Sequence, residues 1–559
     1  MTTNSEEDKY CTIEEEGKKY TDAIVKSASR KKIVVAGPGT GKTYLFKKII
    51  EGKHNTLTLT FVNALVEDLS LELYGISDVK TLHSFARSTL GSNIGAVKIF
   101  PKLSEVIKED AKILLGKDID FDFLFHNRDD ENENIEFYKK RKNYYDKHYG
   151  YSDIIFALVK YFEDKKDKVP TYDQILVDEF QDFNKLEISL IDLLAEKSPV
   201  LLVGDDDQAL YEDLKSASAK YIRDRFSNNC PDYESFTLPH CRRCTSVIVN
   251  AVNDIITSAI KNNFLKERAD KKYEYFQDKI KDIESNENQK IIYSQQFARK
   301  IPWFIEQQIG KIAEEIKGKF SVLIISPTRT QIRSIVDALR GKGFINIESA
   351  EKKDEKGLPM LDGLKILLDD ENSNLGWRIV FRSILSGTDF ESVLKESNKD
   401  NAKCFAELID SKQKKEINDI LKILRSIKND KKVKEEKLDE VLRKVGFGPF
   451  DIAGNYLKDE INSNSMRIGN PGLRKIPIKA TTIQSSKGLA ADYVFITYFD
   501  DRYFIKNKDK KNIEDKEICN FLVALTRARR KVFLISSDDK KEPTFLKWIK
   551  NDRIEKVVS

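Results

Sequence analysis

No run of about 18 apolar residues occurs anywhere in the chain, so nothing in it reads as a membrane span. Cysteine is scarce: six in 559 residues cannot make a disulfide framework, and a reducing cytoplasm is the expected setting. The opening "MTTNSEEDKYCTIEEEG" is acidic and lacks an apolar centre, which argues against a signal peptide. Positive charge is nearly balanced as well. A net charge of +5 excludes a uniformly basic nucleic-acid binder, and any polyanion site must come from local clustering. There is no internal repeat of about 20–50 residues. What the chain does have is length and apolar content, enough for roughly three to five compact units.

Short apolar runs alternate with helical patterns near both ends. "KKIVVAG" (31–37), "TLTLTF" (56–61), "QILVDEF" (174–180) and "PVLLVGD" (199–205) each end in polar or glycine-containing loops. A second set comprises "FSVLIISPT" (320–328), "IKATTIQ" (478–484), "YVFITYF" (493–499) and "KVFLISS" (531–537). Near-continuous apolar runs followed by helices predict buried parallel strands, hence two α/β cores. Between them lie segments of another kind. Residues 90–150 hold an acidic block, "DDENENIE", and then the basic and aromatic "YKKRKNYY" (138–145), which by itself reads as a solvated helix face and, in a chain that binds nucleic acid, as a single-strand track. Residues 360–470 are mostly helical in pattern: Ile417, Ile420, Leu421, Leu424 and Ile427 recur at helical spacing.

The strongest local signal is "VVAGPGTGKTYLFKKII" (34–50), a strand, a glycine-rich loop and an amphipathic helix. This is the P-loop arrangement, with Ala36 at the first position, where glycine is usual. Backbone N–H groups from Gly37, Pro38's neighbours, Gly39, Thr40 and Gly41 would crowd around phosphate oxygens, aided by the helix N-terminus. Lys42 would reach the β- and γ-phosphates, and Thr43 would ligate Mg²⁺. "VDEFQD" supplies the carboxylates such a site needs: Asp178 for the Mg²⁺ shell and Glu179 to polarise the attacking water. Gln208, in "VGDDDQ", is suited to sensing the γ-phosphate. The segment "TLPHCRRCTSVIV" (237–249) is open at this level. Cys241 and Cys244, with His240 and Cys230 nearby, fit a metal knuckle, a redox pair, or a frame for two arginines.

Seven stretches in order resemble the UvrD/Rep-like superfamily 1 DNA helicases: "AGPGTGKT" (36–43), "TFVNALVEDL" (60–69), "TLHSFA" (81–86), "VDEFQD" (177–182), "VGDDDQALY" (203–211), "TTIQSSKGL" (481–489) and "LVALTRAR" (522–529). The resemblance implies two RecA-like P-loop NTPase domains, 1A (1–89 and 152–232) and 2A (233–359 and 471–559), in an α/β fold. Mainly helical insertions would be 1B (90–151) and a short 2B (360–470). It also implies ATP and Mg²⁺ in the cleft between 1A and 2A, with Arg243 and Arg527 as arginines that neutralise the transferred phosphoryl group. The nucleotide would further meet Arg242 and Gly488. Thr60, Phe61, Asn63, His83, Ser84, Tyr211, Thr482 and Lys487 match positions that face single-stranded DNA. The implied function is ATP-driven movement on single strands, 3′ to 5′, with unwinding of partly duplex DNA. Some UvrD-like proteins instead serve as nucleotide-gated partners of nucleases in defence or repair, and the short 2B admits that alternative.

Four departures qualify the match. Residues 1–35 contain no glutamine to read an adenine edge. Arg242 stands where the family has a base-stacking tyrosine, and Ala490 where a ribose-associated glutamate is expected. These imply relaxed choice among NTPs. Asp213 replaces an aromatic residue that stacks on DNA bases, a loss of about 1–3 kcal/mol per base.

Overall fold

A computed structural model describes residues 3–60, 63–211, 215–227, 230–316, 318–349, 359–399, 404–428, 476–505, 513–537 and 541–557. Side chains at 3–9, 11, 63–65, 67, 68, 359 and 426–428 lie outside that description. The chain packs as two units.

The larger unit contains two parallel sheets. The first has six strands: β1 (Lys31–Ala36), β2 (Thr56–Thr60), β3 (Asp78–Thr81), β4 (Gln174–Val177), β5 (Val200–Gly204) and β6 (Glu234–Leu238). Their order is β3-β2-β4-β5-β1-β6. Every residue of β2, β4 and β5 is buried, as a parallel sheet covered on both faces requires. The helix Lys42–Ile50 turns Leu45, Phe46, Ile49 and Ile50 onto this sheet, packing them with Val34, Leu176 and Val203. β6 pairs with β1, so the first core extends past residue 232, where the sequence reading ends it.

A short parallel pair follows, β7 (His240–Cys241) with β8 (Glu274–Tyr275). The second sheet has seven strands: β9 (Ile291–Gln295), β10 (Val322–Ser326), β11 (Ile347–Ser349), β12 (Ile478–Thr482), β13 (Ala491–Thr497), β14 (Ala528–Ser536) and β15 (Ile554–Val557). The order is β11-β12-β10-β13-β14-β9-β15, and every pairing is parallel. One face packs Val322, Ile324, Phe495 and Phe533. The other packs Leu323, Ile325, Val494 and Leu534 against Val249, Val252 and Ile256 of the helix Ser246–Lys261.

The smaller unit takes its described residues from 90–154, 359–399 and 404–428 and is helical. Its two chain segments share one buried ion cluster. Asp110, wholly buried, accepts from Arg141 Nη2 (2.8 Å) and, on its other oxygen, from Arg378 Nη2 (2.8 Å). The Tyr145 hydroxyl donates to the same carboxylate. This revises the reading of "YKKRKNYY" as a single-strand track. The helix Glu133–Tyr144 buries Tyr138 and Arg141, and Tyr145 just after it is buried too. Lys142 spends its charge on Asp153 (3.3 Å) and lies over the Tyr149 ring. Only Lys139, Lys140 and Asn143 of that run are exposed. In the helix Ser411–Lys428, Ile417, Ile420 and Leu421 are buried as their spacing predicts, whereas the side chain of Ile427 lies outside the described residues.

Candidate nucleotide site and nucleic-acid surface

In an open parallel sheet, ligands bind beyond the carboxyl ends of the strands. Here β1, β5 and β4 are neighbours, so the loops after them meet. They carry the P-loop, the Asp205–Gln208 turn, and Asp178 with Glu179. A cleft of about 760 Å³ opens there, lined by Gly39, Lys42, Thr43, Asp178, Glu179 and Gln208 from the first core. Arg242, Arg243, Gly488, Ala490 and Arg527 line it from the segments that pack with the second sheet.

The P-loop is shaped by its own bonds and by what touches it. Gly41 has φ +90° and leads into the helix Lys42–Ile50, leaving the first N–H groups of that helix free for an anion. The Thr40 hydroxyl donates to Gly37 O (2.9 Å). Gly39 has φ +73°, and a Cβ there would sit 2.4 Å from Arg243 Cβ. The Arg242 N–H donates to Gly39 O at 2.8 Å. The CRRC segment is therefore laid directly on the phosphate loop. Its cysteines are internal: the Cys244 N–H donates to Cys241 Sγ (3.4 Å), and both side chains are buried. His240 turns toward Glu274 (3.6 Å) and the Tyr20 ring, and Cys230 lies beyond β6's opposite end after the helix Lys220–Phe226.

The charges of the cleft meet at Glu179. Lys42 Nζ lies 3.4 Å from Glu179 Oε1, and Lys487 Nζ lies 3.6 Å from Glu179 Oε2. Burial raises the Glu179 carboxyl, but Lys42, Lys487 and the Gln181 amide (2.6 Å) together hold it well below the usual range. Glu179 also takes a left-handed backbone, φ 53°, costly for a residue with a side chain and typical of a functional turn. Burial pushes Asp178 up to about 6, and the Glu179 charge beside it adds to the shift. Two adjacent buried carboxylates and the Thr43 hydroxyl on one cleft wall are a donor set that suits a hard divalent cation, which would relieve that strain on Asp178. Arg527 is wholly encircled: Nε donates to Val523 O (3.0 Å) and Nη2 to Gln208 Oε1 (2.9 Å). Burial, then the charge of Arg243, lower it to about 10 against the attraction of Glu179, so it stays protonated at neutrality.

Residues 21–213 match the AAA domain family, and residues 381–539 match the UvrD-like helicase C-terminal domain. Together the two matches mark the chain as similar to the UvrD/Rep-like superfamily 1 helicases. A stretch of 86 residues is 42% identical to DNA helicase II of Escherichia coli (strain K12), covering 15% of this chain and 12% of that protein. ATP-dependent DNA helicase PcrA of Staphylococcus epidermidis is 26% identical over 275 residues, 40% of this chain and 37% of that protein. PcrA of Staphylococcus aureus is 23% identical over 440 residues, 69% of this chain and 58% of that protein. The chain thus spans less than two thirds of the length of these relatives.

In this UvrD-like chain the residues expected on DNA are placed unevenly. Thr60 ends β2, and its buried hydroxyl has no hydrogen-bond partner among the described residues. His83 is half-buried and Ser84 exposed at the start of the helix Leu82–Ile94, after β3. Thr482 ends β12, its hydroxyl bonded to Ser485 Oγ (3.1 Å). Tyr211 is half-buried, its hydroxyl donating to Gln484 O (3.4 Å). Phe61, the Asn63 side chain and Asp213 lie outside the described residues. Lys487 departs from expectation. It is buried, donates to Gln208 O (2.7 Å) and pairs with Asp182, so its ammonium is taken up inside the protein and does not face outward. Burying a cation is tolerable only against fixed acids, and "VDEFQD" supplies them.

The sequence reading assigned no role to Gln181, Tyr273, Phe276 or Glu14. Gln181 holds Glu179 with its amide and takes the Asp205 N–H (2.9 Å) on its oxygen. Tyr273 lies against Gly37 and donates to Pro38 O (3.1 Å). The Arg242 guanidinium lies 3.8 Å over the Phe276 ring and pairs with Glu14 (2.9 Å). Gln181 lies inside a quoted motif and could have been found. The others carry no local signature. Among the described residues no helix is long and apolar enough to cross a membrane.

Proposed function

We propose that the chain is a DNA-dependent NTP hydrolase that moves on single-stranded DNA and opens partly duplex DNA. The observation that carries this reading is the Arg527–Gln208 hydrogen bond at 2.9 Å, which joins a γ-phosphate sensor from the first core to an arginine from the second. Nucleotide would lie on the P-loop with Lys42 at its β- and γ-phosphates. Thr43 and Asp178 would hold Mg²⁺, which shields phosphate charge when bound. Glu179, kept ionised by Lys42 and Lys487, orients and polarises the attacking water. Arg243 and Arg527 neutralise charge on the transferred group, and Gln208 reports its loss to the second core. Cycles of closing and reopening would carry a single strand over the carboxyl ends of β2, β3 and β12, 3′ to 5′ by the family's habit.

Choice among nucleotides rests on Arg242. Lying over the Phe276 ring and paired with Glu14, it offers a base a planar cation to stack on, a contact every base can make. ATP would serve, and other NTPs nearly as well.

The test is phosphate release from ATP, with and without single-stranded DNA, for wild type and Glu179→Gln. Strong stimulation by DNA that the substitution abolishes is expected. Negligible or DNA-independent turnover by folded wild type would turn the reading to a nucleotide-gated, DNA-sensing subunit of a nuclease or repair complex.

A further inference from the structure

The loop that ends β5 carries Asp205, Asp206 and Asp207, all buried, with carboxylate oxygens within 4.8 Å of one another. So many like charges in so small a space cannot stay ionised without cations. A metal ion would meet the need, but a side chain already fills the place. The Lys271 ammonium lies 2.6 Å from Asp205 Oδ1 and 3.0 Å from Asp207 Oδ2, and it also donates to Asp206 Oδ1. Arg223 pairs with Asp206 (3.0 Å) and Arg268 with Asp207 (2.9 Å). Each acid has its base, and the cluster is neutral.

What the cluster does follows from Asp205. Its Oδ1 is held by Lys271, and its Oδ2 accepts from Gln208 Nε2 at 2.6 Å. An ionised carboxylate only accepts, so Gln208 must present its NH₂ to Asp205 and its oxygen to the other side. There the oxygen accepts from Arg527 Nη2. Were the carboxylate to swing away, the amide could turn over, and NH₂ would then face the Arg527 guanidinium. Lys271 stands against that reversal. It also belongs to the segment that runs into β8, whose Leu265 and Tyr273 pack in the second sheet's core, so it ties the sensor loop to that core.

We propose that Lys271 is a positioning residue for NTP hydrolysis, a built-in cation that holds Asp205 Oδ1, leaves Oδ2 to the Gln208 NH₂ and so fixes the Gln208 amide oxygen toward Arg527. The assignment rests on the hydrolase reading above. Lys271 is not among the residues that line the nucleotide cleft.

Lys271→Met alone leaves the acids in excess and would confuse misfolding with mispositioning. The deciding variant is Lys271→Met with Asp207→Asn, which keeps charge balance while Asp206 retains Arg223. Against Asp207→Asn as its parent, kcat for ATP is expected to fall about 10- to 100-fold. KM and the melting temperature should stay near the parent's. Lys271→Arg, which keeps the cation, should recover most of the turnover. A double variant that hydrolyses ATP as fast as its parent would overturn the assignment and leave the cluster a packing device. So would a loss that tracks melting temperature across all the variants. Wild type without turnover would remove the hydrolase reading and the assignment with it, a result distinct from either.

Discussion

Arg527 Nη2 and Gln208 Oε1 lie 2.9 Å apart, and through that bond a residue just before β14 of the second sheet touches the loop after β5 of the first. Burial and Arg243 press on Arg527 more than the Glu179 charge offsets, so the site favours further negative charge. A phosphoryl group entering the cleft would supply the charge. Replacing Arg527 by alanine is therefore expected to lower kcat by about 10³-fold or more, while nucleotide affinity changes far less. Phosphate release and equilibrium binding of a fluorescent nucleotide, measured on one preparation, separate the two. A loss confined to affinity would make Arg527 a binding residue only.

Base selectivity should be weak, because the group that borders the base is a stacked cation and not a hydrogen-bonding edge. ATP, GTP and CTP are expected to support hydrolysis with kcat/KM values within about tenfold, one stacking interaction's worth. Arg242→Ala should raise KM for all of them by a similar factor, roughly 2- to 30-fold for the 0.5–2 kcal/mol such stacking contributes. A strict preference for ATP would show that some other group reads the base.

The nucleotide machinery is legible in the sequence because each part is set by neighbours in the chain. A strand, three glycines and a helix are enough to place Lys42 and Thr43, and an apolar strand running into "DEFQD" is enough to place Glu179. Partnerships across the chain are another matter. Lys271 meets Asp205 across 66 positions, and no spacing rule connects them. The resemblance sets Lys487 on DNA, and the basic and aromatic "YKKRKNYY" run suits a single-strand track, but Lys487 and Arg141 each answer a buried carboxylate that only the fold reveals. The CRRC segment shows both sides. Its residues alone leave metal, redox and arginine chemistry open, whereas the 2.8 Å bond from Arg242 N to Gly39 O lays it on the phosphate loop.

The helical unit should depend heavily on Asp110. Asp110→Ala leaves Arg141 and the Arg378 face turned toward it buried without their carboxylate. Breaking such a pair from one side costs about 3–5 kcal/mol. Hydrogen exchange in the helix Leu103–Leu115 is the direct readout, since that helix carries Asp110. Protection lower by that amount is expected, and a change within about 1 kcal/mol, the value of an exposed pair, would show that water reaches the cluster.

Asp153 gives the same unit a pH dependence of definite sign. Burial pushes its carboxyl from 3.8 up to about 6, outweighing the attraction of Lys142. Between those pH values the folded chain holds a proton that the unfolded chain has released. Stability from this group is therefore greatest below about pH 4, falls as pH rises toward about 6, and stays reduced at pH 7. Asp153→Asn cannot ionise and escapes the decline. At pH 7 it is expected to be more stable than wild type by up to about 3 kcal/mol, and near pH 4 to differ little. Urea midpoints for both proteins at pH 4, 5, 6 and 7 decide it. A difference that does not grow with pH would mean that Lys142, and not burial, governs Asp153.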